Sequence, residues 1–118
     1  MKKIILFSVM LTISSSAYAK EMHYFGGQKE YLQQCRVCHG GSSVFVVNYT
    51  MKQWEDFMVN DGKDIGLRHI NSNQYKSIQA EKKLKPYFET ERYQKRLPYM
   101  NVFLKRFAKD STNSPLKK

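Results

Sequence analysis

The chain contains only two cysteines, and both stand in one short run, Cys35-Arg36-Val37-Cys38-His39. A C-x-x-C spacing puts two thiols on one side of a single helical turn. From there each thiol can add across a vinyl group of the same porphyrin, and the adjoining imidazole is directed at its iron from the proximal side. The run therefore predicts one covalently attached haem c, with Cys35 and Cys38 as thioether anchors and His39 as proximal iron ligand. Three other chemistries use cysteines so spaced. A structural disulfide is one. A thioredoxin-like redox pair is another, although no βαβ pattern is present to house it. A zinc site is the third, and it would need a second ligand pair at metal spacing, which the sequence does not supply. None of the three gives His39 a role.

The second axial position is less determined. His69 follows His39 by thirty residues, a separation the chain can fold back across. It falls in a segment expected to be a loop, and loops on a rigid scaffold commonly carry ligands. Met58 and Met100 are alternatives, but each shares an apolar helical stripe with large aromatics, where a methionine is more often core than ligand. Met51 has the same character. Met22 and His23 lie near the N-terminus, and His23 is expected at the surface. An open or water-bound distal side completes the set. The choice matters because methionine raises the potential of the iron, two imidazoles lower it, and an open side admits small ligands.

The N-terminus must be set apart before any fold is argued. Lys2 and Lys3 precede an apolar run from Ile4 to Ile13, and small residues then lead to Ala17-Tyr18-Ala19. That order is a secretory signal peptide over 1–19, with an apolar run too short to span a bilayer. Export makes the protein periplasmic, and it delivers the reduced, unfolded thiols that haem attachment requires. Removing 1–19 takes two lysines and no acid, so the formal charge of +10 falls by two. A basic exported protein is expected to meet an acidic protein surface, or anionic head groups peripherally, rather than nucleic acid.

The elements that must hold the motif read as helices. The first is expected from about Gln28 to Cys38, after Gly26-Gly27, with Tyr31 and Leu32 inward and Gly40-Gly41 as its stop. Val44 to Val47 is the single, short β-branched run. A second helix is expected from Thr50, where Thr50 and Gln53 stand at capping-box spacing, with Met51, Trp54, Phe57 and Met58 inward and Asn60-Asp61-Gly62 as its end. Residues 63–72 read as a loop. A third helix covers 73–85, with Tyr75 and Ile78 inward and Pro86 closing it. A short helix enters at Thr90, and a last one starts at Pro98 in position N1, with Met100, Phe103, Leu104 and Phe107 on one face. The expected organisation is a signal peptide, one small all-α domain over 20–109, and a frayed polar tail over 110–118. A domain this small benefits from a covalent staple, and a haem would serve as one.

Gly27, Tyr31 and Cys35 stand four residues apart, and this spacing resembles the first helix of the small class I-type monohaem cytochromes c. The chain is also loosely similar to short exported cytochrome c-like proteins of Helicobacter and Campylobacter relatives, in which a Trp-containing helix, here around Trp54, follows the haem site. The resemblance covers the first helix well, the last loosely and little between. It implies a cytochrome c-like helical fold around one haem. It also implies a close crossing of the first and last helices, with Gly27 and Tyr31 against Phe103 and Phe107. The family usually takes a methionine as its distal ligand well before the last helix, and here no methionine occurs between Met58 and Met100. The function so implied is single-electron transfer between periplasmic redox proteins by a monomer, not an enzyme, since no distal acid–base pair is evident. Lys52, Lys63, Arg36 and Arg68 are expected to steer an acidic partner. A haem-based ligand-binding or sensing module with a displaceable distal side is the alternative.

Overall fold

The computed structural model describes residues 15–82 and 86–117, with side chains from His23 onward. Residues 1–14 of the expected signal peptide and 83–85 of the expected third helix lie outside them. Among the described residues there is no strand, and the all-α expectation holds. The helices are α1 (Ser15–Gln34), α2 (Arg36–His39), α3 (Ser42–Phe45), α4 (Met51–Phe57), α5 (Lys63–Ile70), α6 (Asn73–Lys82) and α7 (Glu91–Phe107). Short 3-10 turns at Val46–Asn48, Asn60–Gly62, Tyr87–Glu89 and Pro115–Lys117 join or follow them.

The frame is the crossing of α1 with α7. Contrary to expectation, α1 does not begin after Gly26-Gly27 but runs straight through them. The reason is steric. A Cβ on Gly27 would run into the Tyr99 carbonyl oxygen and stand 2.6 Å from the Phe103 Cβ, so only glycine lets the two helix backbones come this close. One turn on, Tyr31 lies against Phe103 with ring centres 5.5 Å apart, and Phe103 stacks on Phe107. Tyr31, Val46, Trp54, Met100, Phe103, Leu104 and Ala108 form the buried core around this crossing. Leu32, expected inward, is exposed. His23 is not a free surface group, because its ring meets the edge of Tyr99 at 4.7 Å.

Four further expectations are corrected. Val44 to Val47 is helical, because Trp54 Nε1 donates to the Val46 carbonyl and ties the segment onto α4. Helix α4 has both halves of its capping box, Gln53 N–H to Thr50 Oγ1 and Thr50 N–H to Gln53 Oε1, but Met51 at its start points outward. Residues 63–70 form a helix rather than a loop. Asn60, Asp61 and Gly62 all take left-handed backbone angles, which Asn, Asp and Gly tolerate best, and this tight reversal restarts the helix at once. Pro98 lies inside α7 instead of opening it; Thr90 caps the helix by accepting from Tyr93 N–H. Pro98 and Gln94, whose carbonyl loses its partner, both face solvent, so water can satisfy that group.

The C-terminal segment is docked rather than frayed. Lys109 N–H donates to the Tyr49 carbonyl, Asp110 Oδ1 accepts from Met51 N–H, and Ser111 and Ser114 are buried.

Candidate functional site

The helices enclose a cavity of about 270 Å³ with predominantly apolar walls. On one side it is bounded by Cys35, Cys38 and His39 at the end of α1 and in α2. The roof and back are Tyr49, Trp54, Phe57 and Met58 of α4 and its approach, with Met100 and Leu104 of α7. The opposite side is Ile65, Arg68 and His69 of α5, with Tyr75, Tyr87, Phe88 and Tyr93. Every residue that the sequence nominated for the site, His69, Met58 and Met100 included, therefore lines one cavity. His39 and His69 face each other across it, their ring centres 5.9 Å apart and their planes crossed at 79°.

The two imidazoles are held by different neighbours. Burial lowers the basicity of His39, and the neighbouring His69 lowers it further. His69 lies one turn after Ile65 on α5, and its Nδ1 is 2.8 Å from the Ile65 carbonyl. A carbonyl oxygen only accepts, so the neutral ring carries its proton on Nδ1 and leaves Nε2 with a free lone pair. This is how a second partner fixes the tautomer of a metal-binding histidine.

The walls are pinned by polar atoms at their outer ends. Tyr31 donates to the Gly40 carbonyl at 2.8 Å and holds the turn that follows His39; Gly40 itself takes a positive φ of 77°. Tyr93 donates to the Gly62 carbonyl at 2.7 Å and holds the start of α5. Burial raises both phenols to about 12, with the Cys35 thiol adding to the effect on each.

Glu30 was not singled out by sequence reasoning, although it is only 1% exposed. Its carboxylate receives Arg92 Nε and Nη2 at 3.0 Å each and the Tyr87 hydroxyl at 2.8 Å. It thus joins α1 to the start of α7 and to the turn carrying Phe88. The signal was present in the i, i+3, i+4 stripe Gly27, Glu30, Tyr31, Gln34, Cys35, which places Glu30 on the buried face.

The environment of the cysteines separates the competing chemistries. Burial pushes the Cys35 thiol up to about 12, and the Glu30 carboxylate and Cys38 push it the same way. A redox-active C-x-x-C pair has a lowered thiol, a signature that Cys35 does not carry. Among the described residues no group of three or more His, Cys, Asp or Glu side chains could hold a metal ion. An iron held in a porphyrin asks the protein for only one or two axial donors, and the set here supplies that number. The cavity thus joins apolar, largely aromatic walls to two imidazoles.

The expected steering cations are dispersed. Arg68 lines the cavity, Arg36 and Lys63 are exposed, and Lys52 pairs with Asp56 on the next turn of α4. Among the described residues no helix is long and apolar enough to cross a membrane. No protein-family model matches the chain, and neither a curated protein nor a solved structure matches it.

Proposed function

We propose that the protein is a periplasmic c-type cytochrome that carries single electrons, with one haem attached through Cys35 and Cys38 and held between His39 and His69. The observation that carries this reading is the C-x-x-C-H run opening onto an aromatic-walled cavity in which a second imidazole stands 5.9 Å from the first. The haem would supply reversible ferric–ferrous chemistry, at a lower potential with two imidazoles than with methionine. The work of the chain is to hold and shield it. Cys35 and Cys38 would anchor it; Tyr31, through Gly40, keeps the turn that bears them against α1; Trp54, Phe57, Met100 and Leu104 would exclude water from it. His69 is preferred to Met58 and Met100 because its ring faces His39 and its Nε2 is free. Arg68 at the rim supplies positive charge for an acidic partner.

The test is export with a cytochrome c maturation system, followed by mass and optical spectroscopy of the purified protein. The reading expects a chain beginning at Lys20, one haem that survives acid–acetone extraction, and a ferric spectrum without the far-red charge-transfer band of methionine ligation. Cys35→Ser and Cys38→Ser together should leave no covalent haem. A full-length chain that matures without haem, or with a Cys35–Cys38 disulfide, would overturn it. Immediate carbon monoxide binding by the reduced protein would instead favour a sensing module.

A further inference from the structure

Each of the two facing imidazoles lies flat on a phenylalanine, and each phenylalanine belongs to a different part of the chain. His39 stacks on Phe45 of α3, with ring centres 4.0 Å apart and planes at 19°. His69 stacks on Phe88 of the Tyr87–Glu89 turn, at 4.3 Å and 25°. Neither phenylalanine is free to turn. Phe45 abuts the edges of Tyr49 and Trp54. Phe88 is boxed by Tyr75, Tyr87 and Tyr93, and its backbone N–H donates to the Tyr75 hydroxyl. The Ile65 carbonyl adds a third restraint on His69. The imidazole planes cross at 79°.

We propose that Phe45 and Phe88 are positioning residues that hold His39 and His69 in crossed planes as axial ligands; this rests on the haem reading above. An imidazole bound to a metal can spin about its metal–nitrogen bond, and its π system acts on the one metal d orbital that matches its plane. Parallel rings act on the same orbital and split the dπ pair. Crossed rings act on one orbital each and leave the pair nearly degenerate. Aromatic pairs settle into either offset-stacked or edge-to-face arrangements, and both histidines here take the stacked one. Two flat stacks, one behind each of two neighbouring histidines, act with the Ile65 carbonyl to fix the angle between the rings.

The experiment is electron paramagnetic resonance of the frozen ferric protein in its haem-loaded, exported form, after haem content has been measured as the pyridine haemochrome. The expected wild-type signal is a single, strongly anisotropic low-spin feature at large g. Phe45→Leu and Phe88→Leu keep an apolar filler but no flat face, and either should move the signal toward a resolved three-line rhombic pattern at unchanged haem content. Phe45→Tyr and Phe88→Tyr keep the face and should keep the wild-type signal. A rhombic wild-type signal in a haem-loaded protein overturns the crossed planes while leaving the cytochrome reading intact. A methionine charge-transfer band or a high-spin signal removes His69 as a ligand and overturns the proposal. An unchanged signal in both leucine variants removes the role of the phenylalanines. Absence of covalent haem overturns this proposal and the proposed function together.

Discussion

The two walls of the cavity are built differently, although each presents a histidine and each contains a glycine inside a helix. The wall bearing His39 rests on the α1–α7 crossing, where Tyr31, Glu30 and Phe103 are at most 1% exposed and backbone touches backbone at Gly27. The wall bearing His69 is a single layer. Ile65, His69, Tyr75 and Phe88 are only partly buried, Leu67 on the outer face of α5 is 55% exposed, and the inner face of the layer is the cavity itself. The first wall has its own core; the second has the cavity contents. A group that fills the cavity should therefore stabilise the His69 wall far more than the His39 wall, since local stability follows the apolar contacts a segment makes.

Hydrogen exchange is the strongest way to break that contrast. Comparing the haem-loaded protein with the Cys35→Ser, Cys38→Ser chain, amides of α5 and α6 should lose protection by about a hundredfold, and those of α1 and α7 by much less. Equal losses in both walls would remove the contrast.

Gly27→Ala comes next. The new methyl meets the Tyr99 carbonyl and Phe103, both on a helix locked by the core, so we expect a loss of roughly 3 kcal/mol or more in urea unfolding.

The pinning tyrosines give a pH test. Burial holds Tyr31 and Tyr93 protonated to about 12, whereas an unfolded chain releases these protons near about 10. Below the lower value both states keep their protons and the stabilisation is complete. Above it the unfolded chain is favoured by deprotonation, so stability should decline between pH of about 10 and 12, by about 2–3 kcal/mol per tyrosine. Tyr31→Phe and Tyr93→Phe should each flatten the alkaline limb, one per wall.

Glu30→Gln keeps the shape but turns an amide N–H toward Arg92 or Tyr87. Because the group is buried, a loss of about 2 kcal/mol is expected by chemical denaturation. Gly66→Ala is the smallest change and has the opposite sign. Its Cβ would meet Tyr93 and Phe88 no closer than 3.5 Å, so a helix-interior alanine should stabilise the His69 wall by about 0.5–1 kcal/mol. Destabilisation there would show that the thin wall is packed as tightly as the other.

Much of the His39 wall could be read from the chain, because its determinants are close in sequence. Gly27, Tyr31, Cys35, Cys38 and His39 share one helical stripe and the turn after it, and the capping box at Thr50 and Gln53 is complete within four residues. The same local reading misjudged the His69 wall. Asn60-Asp61-Gly62 was read as an ending, yet three left-handed residues make a reversal short enough to start α5 immediately. Residues 63–72 read as a loop containing Gly66, yet a glycine in a helix costs only about 1 kcal/mol, and the inward contacts of Ile65 and His69 offset it. Pro98 was read as a helix start because proline favours that position, but the apolar stripe continues through Leu97 and Met100, both buried, and the fold keeps the helix whole around it.

The sequence by itself determined that the chain is helical, that its two thiols and His39 stand together within about one turn, and which face of the last helix is buried. These are properties of spacing along a single helix, where neighbours three or four residues apart must share a face. Only the tertiary structure decided that His69 meets His39, that Glu30 ties the crossing to the Phe88 turn, and that the tail closes onto Tyr49 and Met51. Each of those joins residues thirty or more positions apart. Their meeting depends on how closely α1 and α7 approach, and that distance is set by the absence of one side chain at Gly27.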